Sequence, residues 1–112
     1  MKAPIVIVEI GGRPVTLRVK PTRVPFFGYC RYCGQYGATA VKFDLISAKY
    51  ADGKIAEVIH FGRFVPEVLA IFDTFGDGWT ICSACEGTHQ RNMIVSACYF
   101  GWPIKWEMGN LS

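Results

Sequence analysis

Two short units carry most of the chemistry this sequence offers. They are Cys30 and Cys33 in YCRYCG, and Cys82 and Cys85 in ICSAC. Two residues between cysteines let both thiolates converge on one ion from a tight turn. Two such units supply four thiolates, the tetrahedral shell that Zn2+ takes in structural sites. Gly34, directly after the first pair, gives the backbone the freedom such a knuckle needs. A redox pair would normally follow a strand in a βαβ pattern, and none surrounds Cys30. Two disulfides would require an oxidising compartment. An iron–sulfur cluster or a single iron is compatible with four thiolates. One structural Zn2+ held by Cys30, Cys33, Cys82 and Cys85 is the expectation. A closed all-cysteine shell leaves no position for water or substrate, so the ion is expected to hold the fold and not to react. Its removal is expected to unfold at least residues 29–90.

The elements that must position these ligands follow from pattern. PIVIVEI (4–10) and VTLRVK (15–20) flank the turn GGRP and predict a hairpin, within an N-terminal unit of residues 1–24. PTRVPFFG (21–28), with two prolines and a glycine, predicts a connector into the first knuckle. Residues 38–50 alternate, and Asp52-Gly53 predicts a second hairpin with a return strand over 55–64. Pro66 at a first helical turn, an apolar set of Val68, Leu69, Ile71, Phe72 and Phe75, and Gly76 predict a short helix. Thr88 as N-cap, then Met93, Ile94, Ala97 and Cys98 at helical spacing, predict a second helix that Gly101 and Pro103 end. Cys98 is read as a small core hydrophobe. The tail IKWEMGNLS predicts a short strand or a segment packing Trp106. The fold class is therefore α+β, a small single domain over residues 1–112 with its zinc-binding core over 29–100.

The order of knuckle, hairpin and a cysteine pair leading into a helix resembles the treble-clef class of zinc fingers, over residues 29–100. In that class the second pair sits at a helix N-terminus, here within CSACEGTHQRNMIV. The 48 residues between Cys33 and Cys82 exceed the roughly 15–20 of a compact ribbon. Gly87, between the pair and the expected helix, departs from the class and keeps the zinc-ribbon arrangement beside it. The class includes HNH nucleases, which makes His60 in IHFGRF the residue to compare with their catalytic His. The two residues before it are Val58 and Ile59, no Asn follows before the second pair, and His89 is the only other histidine. That pattern departs from the nuclease motif, and no catalytic residue is expected. Asp73, Asp77 and Glu86 show no paired-carboxylate spacing.

The run RVPFFGYCRYCGQYG interleaves Arg23 and Arg31 with Phe26, Phe27, Tyr29, Tyr32 and Tyr36. Exposed aromatics beside guanidinium groups suit stacking on unpaired bases, and THQRN (88–92) places hydrogen-bonding side chains at a helix start. Most of the five aromatics are expected to pack around the thiolates, with Arg31, Tyr32 and Arg91 exposed. Arg23, Arg31, Tyr32 and Arg91 are the candidate contact residues. The function expected is a non-catalytic zinc-binding module for nucleic acid, single-stranded in particular. The alternative is a protein-interaction module that regulates or inhibits a larger machine, since aromatics and Arg also anchor protein interfaces. A net charge of +3, from 12 basic and 9 acidic residues, permits an anionic partner without demanding one. Every apolar run is broken too soon to span a membrane, and paired cysteines without a cleavable leader point to a cytoplasmic setting.

Overall fold

Alternation of buried and exposed side chains sets the sheet. In β1 (Ala3–Ile10) Val6 and Val8 point inward, and in β2 (Arg13–Tyr29) Val15, Leu17 and Val19 do the same. That period of two gives one apolar face and one wetter face. The computed structural model describes residues 2–108. β3 (Tyr36–Tyr50), β6 (Thr80–Ile81) and β7 (Ile104–Glu107) complete an antiparallel sheet in the order β6-β3-β2-β1-β7. Two helices, α1 (Pro66–Phe75) and α2 (Glu86–Phe100), supply the other side of the core. Val68, Ile71, Phe72 and Phe75 from α1 and Met93 and Ala97 from α2 join Leu17, Val41, Phe43 and Ile81 in one apolar cluster. Burying side chains as large as Phe75 or Ile71 contributes about 1.5–3 kcal/mol each.

The connector expected at 21–28 is strand: β2 runs on to Tyr29 and pairs with β3 nearly throughout. Its prolines are tolerated for local reasons. β1 pairs with β2 only as far as Arg18, so beyond it one edge of β2 is open. Pro21 stands opposite Phe43, whose N–H is donated to Asp77 Oδ1 at 2.8 Å. The missing N–H of Pro21 therefore falls on the open side, where no ladder bond is lost. Pro25 and Phe26 fall in a register shift between Val24 and Phe27, a bulge that needs no pairing.

The second hairpin also differs. The turn at 50–54 forms, with Asp52 Oδ1 accepting the Lys54 N–H at 3.0 Å and the Tyr50 N–H donated to Lys54 O at 2.8 Å. The return strand does not. After a single bridge between Lys49 and Ile55 the chain leaves the sheet: β2 holds one edge of β3, and on the other edge Val41 and Phe43 are already bonded to the 77–79 segment that leads into β6. Ala56 and Val58 bury into the core, and residues 59–64 close a two-residue-strand hairpin, β4 (Ile59–His60) with β5 (Arg63–Phe64). Its tip holds the fully exposed Phe61 at φ 53°. His60 is exposed.

α1 begins and ends where the sequence indicates. Pro66 stands in the first turn, and Gly76 caps the helix at φ 83°, donating its N–H to Asp73 O at 3.2 Å while Asp77 N–H reaches Phe72 O at 2.9 Å. Of its expected face, Leu69 is exposed instead of buried. α2 starts earlier than expected. Cys85, not Thr88, is its N-cap residue, and a 3-10 turn over Ser83–Cys85 leads straight into it through Gly87. Cys98 is exposed, one position past the buried Ala97 and so off the inward face. The tail pairs as β7 with β1, Pro4 opposite Trp106. Residues 109–112, the remainder of the expected tail segment, lie outside the described residues. Among the described residues no helix is long and apolar enough to cross a membrane.

Candidate metal centre and adjoining cleft

The first knuckle is the turn between β2 and β3. Cys30 N–H is donated to Gln35 O at 2.8 Å and Gly34 N–H to Cys30 O at 2.9 Å, with Gly34 at φ 75°. The second pair is carried in by β6, whose Thr80 and Ile81 pair with Ala40 and Thr39 of β3. Arg31 N–H is donated to Thr80 O at 2.9 Å, and Thr80 Oγ1 donates to Tyr29 O at 2.5 Å. A side chain at Gly28 would press on Thr80 at 3.1 Å. These bonds dock the two cysteine pairs on each other although they lie far apart in sequence.

The four Sγ atoms of Cys30, Cys33, Cys82 and Cys85 lie within 4.8 Å of one another. A tetrahedron with metal–sulfur arms of about 2.3 Å has edges of about 3.8 Å. Cys33 and Cys82 Sγ are 3.7 Å apart, close to that edge, and all the cysteines among the described residues are free thiols. The Cys30 thiol is held down at about 5, first by the Cys82 N–H directed at its Sγ at 3.5 Å, with burial opposing. Cys85 is pushed up to about 12, first by the neighbouring Cys82 thiol and then by desolvation. Four thiolates this close repel one another, and a divalent cation is what lets all of them ionise together. The donor set fits a sulfur-preferring tetrahedral ion.

The four candidate contact residues have different fates. Arg23 is half-buried and spent internally: its guanidinium donates to Thr39 Oγ1 at 2.9 Å and to Ile81 O, and forms an ion pair with Glu86 at the start of α2. Tyr32 is half-buried rather than exposed, its hydroxyl 2.8 Å from His89 Nδ1. Arg31 is exposed and lies over the Trp79 ring, 4.4 Å from its centroid. Arg91 is exposed on α2, within 3.4 Å of Thr88 Oγ1. Arg31 and Tyr32 line one cleft and Arg23 lines another, and the two share no residue.

The aromatics run against expectation. Phe26, Phe27, Tyr29 and Tyr36 are 59–72% exposed, and only Tyr32 packs inward. Tyr29 and Tyr36 stand opposite each other across β2 and β3, with ring centroids 5.2 Å apart.

Trp79 and Ser96, which the sequence did not single out, line a cleft of about 410 Å3 beside the knuckle with His89 and Asn92 of the THQRN run, Arg31 and Tyr32. His89 is 2% exposed, and its Nε2 has no hydrogen-bond partner. Burial, and then the charge of Arg23, lowers its pKa from the ordinary 6.5, with Glu86 opposing. The signal was present in the spacing: His89 lies four residues after Cys85, on the same helical face and one turn on. Comparison with protein-family models, curated proteins and solved structures gave no match.

Proposed function

We propose that the chain is a non-catalytic zinc-binding module that binds single-stranded nucleic acid through the aromatic surface around its first knuckle. The observation that carries this reading is the exposure of Phe26, Phe27, Tyr29 and Tyr36 beside the cysteine cluster, with Arg31 exposed at the knuckle tip. Unpaired bases stack on such rings without regard to sequence, at about 1–3 kcal/mol per base. The ion's role is structural, since four thiolates close its shell. A knuckle on one turn and a second pair at the first turn of α2 support a treble-clef-like arrangement over the ribbon.

One observation favours a second reading, a protein partner. The pairing of Arg23 with Glu86 removes a cation from the surface and leaves the patch more apolar than basic, as in a protein hot spot. Salt separates the two. With about three phosphate contacts, affinity for a single-stranded DNA pool should fall roughly 10- to 20-fold over a fourfold rise in salt. Replacing Tyr29 and Tyr36 together by Ala should weaken binding at every salt concentration. Absence of salt-sensitive binding to any oligonucleotide in a fluorescence titration would leave the protein partner as the reading.

A further inference from the structure

We propose that the chain pairs with a second copy of itself through the solvent face of α2, the two helices running antiparallel about a two-fold axis beside Val95. This pairing is independent of what the aromatic surface at the first knuckle binds. Met93 and Ala97 of α2 turn inward, while Arg91, Ile94, Val95, Cys98 and Tyr99 are exposed on the opposite side. Val95 is 67% exposed and Tyr99 84%. From Asn92 to Ile104 no residue is charged, so the last two turns of the helix are apolar toward the core and toward solvent alike. A surface helix normally carries charged and polar residues opposite its core stripe, and one that is apolar all round is a helix with something on both sides.

Spacing and charge select another α2 as the occupant. Arg91, Val95 and Cys98 follow the four-then-three spacing of a coiled-coil seam, with Ile94 and Tyr99 flanking it. Arg91 is the one cation on this face, and among the described residues it forms no ion pair. The last turn of α2 holds no basic residue, although the negative end of the helix dipole favours a cation there. Arg91 cannot serve its own helix end, because the eight residues to Tyr99 span about 12 Å of axis. In an antiparallel pair crossing at Val95, Val95 meets its counterpart and Arg91 comes level with Tyr99 of the second copy. Each guanidinium then reaches the other helix's last turn and an aromatic face. A parallel pair would instead set Arg91 against Arg91.

The exposed area is what a reversible dimer needs. The five side chains offer on the order of 500 Å2, of which Tyr99 alone gives roughly 170 Å2. Two copies would bury about 1,000 Å2 together, the lower bound for a specific interface. The Phe100 ring, 5.1 Å from Tyr99 and 4.8 Å from Trp102 between centroids, continues the apolar surface at the end of the helix. An interface of this size forms and dissociates readily, so the pair should come apart on dilution.

The experiment is sedimentation velocity of the full, zinc-loaded chain across the micromolar range under reducing conditions. Val95→Asp, Arg91→Glu, Tyr99→Arg and the double variant Arg91→Glu/Tyr99→Arg are compared with the parent. All three positions are exposed, so the fold should survive, which far-UV circular dichroism verifies. The expected result is a parent that moves from monomer to dimer as concentration rises. Val95→Asp, which sets two like charges together at the axis, should weaken association at least about tenfold. Arg91→Glu should weaken it about fivefold. The double variant should associate more tightly than either single one, because the exchanged charges face each other only in the antiparallel register. A dimer that Val95→Asp leaves intact would overturn the proposal by placing the contact elsewhere. A dimer that Val95→Asp disrupts, with a double variant no tighter than the single ones, would overturn the antiparallel arrangement. A parent that stays monomeric throughout would overturn the second copy. Co-sedimentation of that monomer with phosphatidylserine vesicles, lost in Val95→Asp, would then assign the face to a membrane surface, and no co-sedimentation would assign it to a different protein.

Discussion

The hydroxyl of Tyr32 and the imidazole of His89 meet at 2.8 Å, and that bond joins the first knuckle to α2, beside those that tie the knuckle to Thr80 and Cys82. Tyr32 lies between the first two ligands, and His89 one helical turn beyond the fourth. The cysteines themselves were legible in the sequence, because ligand geometry fixes their spacing whatever surrounds them. The roles of their neighbours were not legible, because exposure depends on what packs nearby. Tyr32 turns inward because α2 presents His89 to it, while Phe26 and Phe27 stay outside because β1 has ended before they are reached. Cys98 shows how fine the margin is, since one residue separates it from the buried Ala97. His89 also carries a pH dependence with a definite sign. Its folded pKa lies below 6.5, so between the two values the unfolded chain binds a proton that the folded chain does not. Stability is fully present above about pH 6.5 and falls as pH drops toward the folded value. Urea unfolding of the zinc-loaded protein at pH 7.5 and 5.5 should therefore show a larger acid loss for the parent than for His89→Gln. Protonation of the thiolates is common to both proteins and cancels in the difference. Equal losses would mean that His89 titrates alike in both states.

α1 could be read from its ends, because Pro66 and Gly76 act locally: one lacks an N–H where none is needed, and the other adopts a left-handed φ. The return strand of the second hairpin could not, since a turn signal at Asp52-Gly53 says nothing about which strand has already claimed the edge of β3. β2 illustrates the same limit. Seventeen residues would reach about 53 Å if straight, more than the molecule's longest extent of 43 Å, so the strand must bend. Its register shifts at Arg18/Val19, Val24/Phe27 and Gly28/Tyr29 mark where it does, and two of them lie where the proline-rich run suggested a loop. The C-cap of α1 gives the sharpest test among the elements. A Cβ at Gly76 would meet the Trp79 ring at 2.4 Å at a φ that L-residues resist. Gly76→Ala should destabilise the protein by about 3 kcal/mol, from strain and overpacking together, read as a lower urea midpoint. A loss under ~0.5 kcal/mol would show that Trp79 moves freely, and that the cleft it helps to line is not a fixed shape.

One apolar cluster takes in β1, β2, β3, α1, α2 and Ile81 of β6, so the sheet, the helices and the metal centre form a connected body. The cysteine cluster lies where the β2–β3 turn, the end of β6 and the start of α2 converge, three segments that apolar packing holds less firmly than the central strands. Cys30 is buried, but Cys33 is exposed and Cys82 and Cys85 are only half-buried, so an ion held by the four would add a cross-link to the hydrogen bonds that dock the two pairs. Structural zinc binding to such sites is worth about 10–16 kcal/mol at neutral pH, comparable to the whole stability of a small domain. Everything proposed for the aromatic surface depends on that ion being present. The most direct measurement is native mass spectrometry of protein purified without chelator, followed by near-UV circular dichroism as a zinc chelator is titrated in. The expected result is one zinc per chain, lost together with the aromatic signal, and no retention of zinc when Cys33 and Cys85 are both Ser. Less than one metal per chain, or an aromatic signal that survives complete removal of the metal, would contradict it.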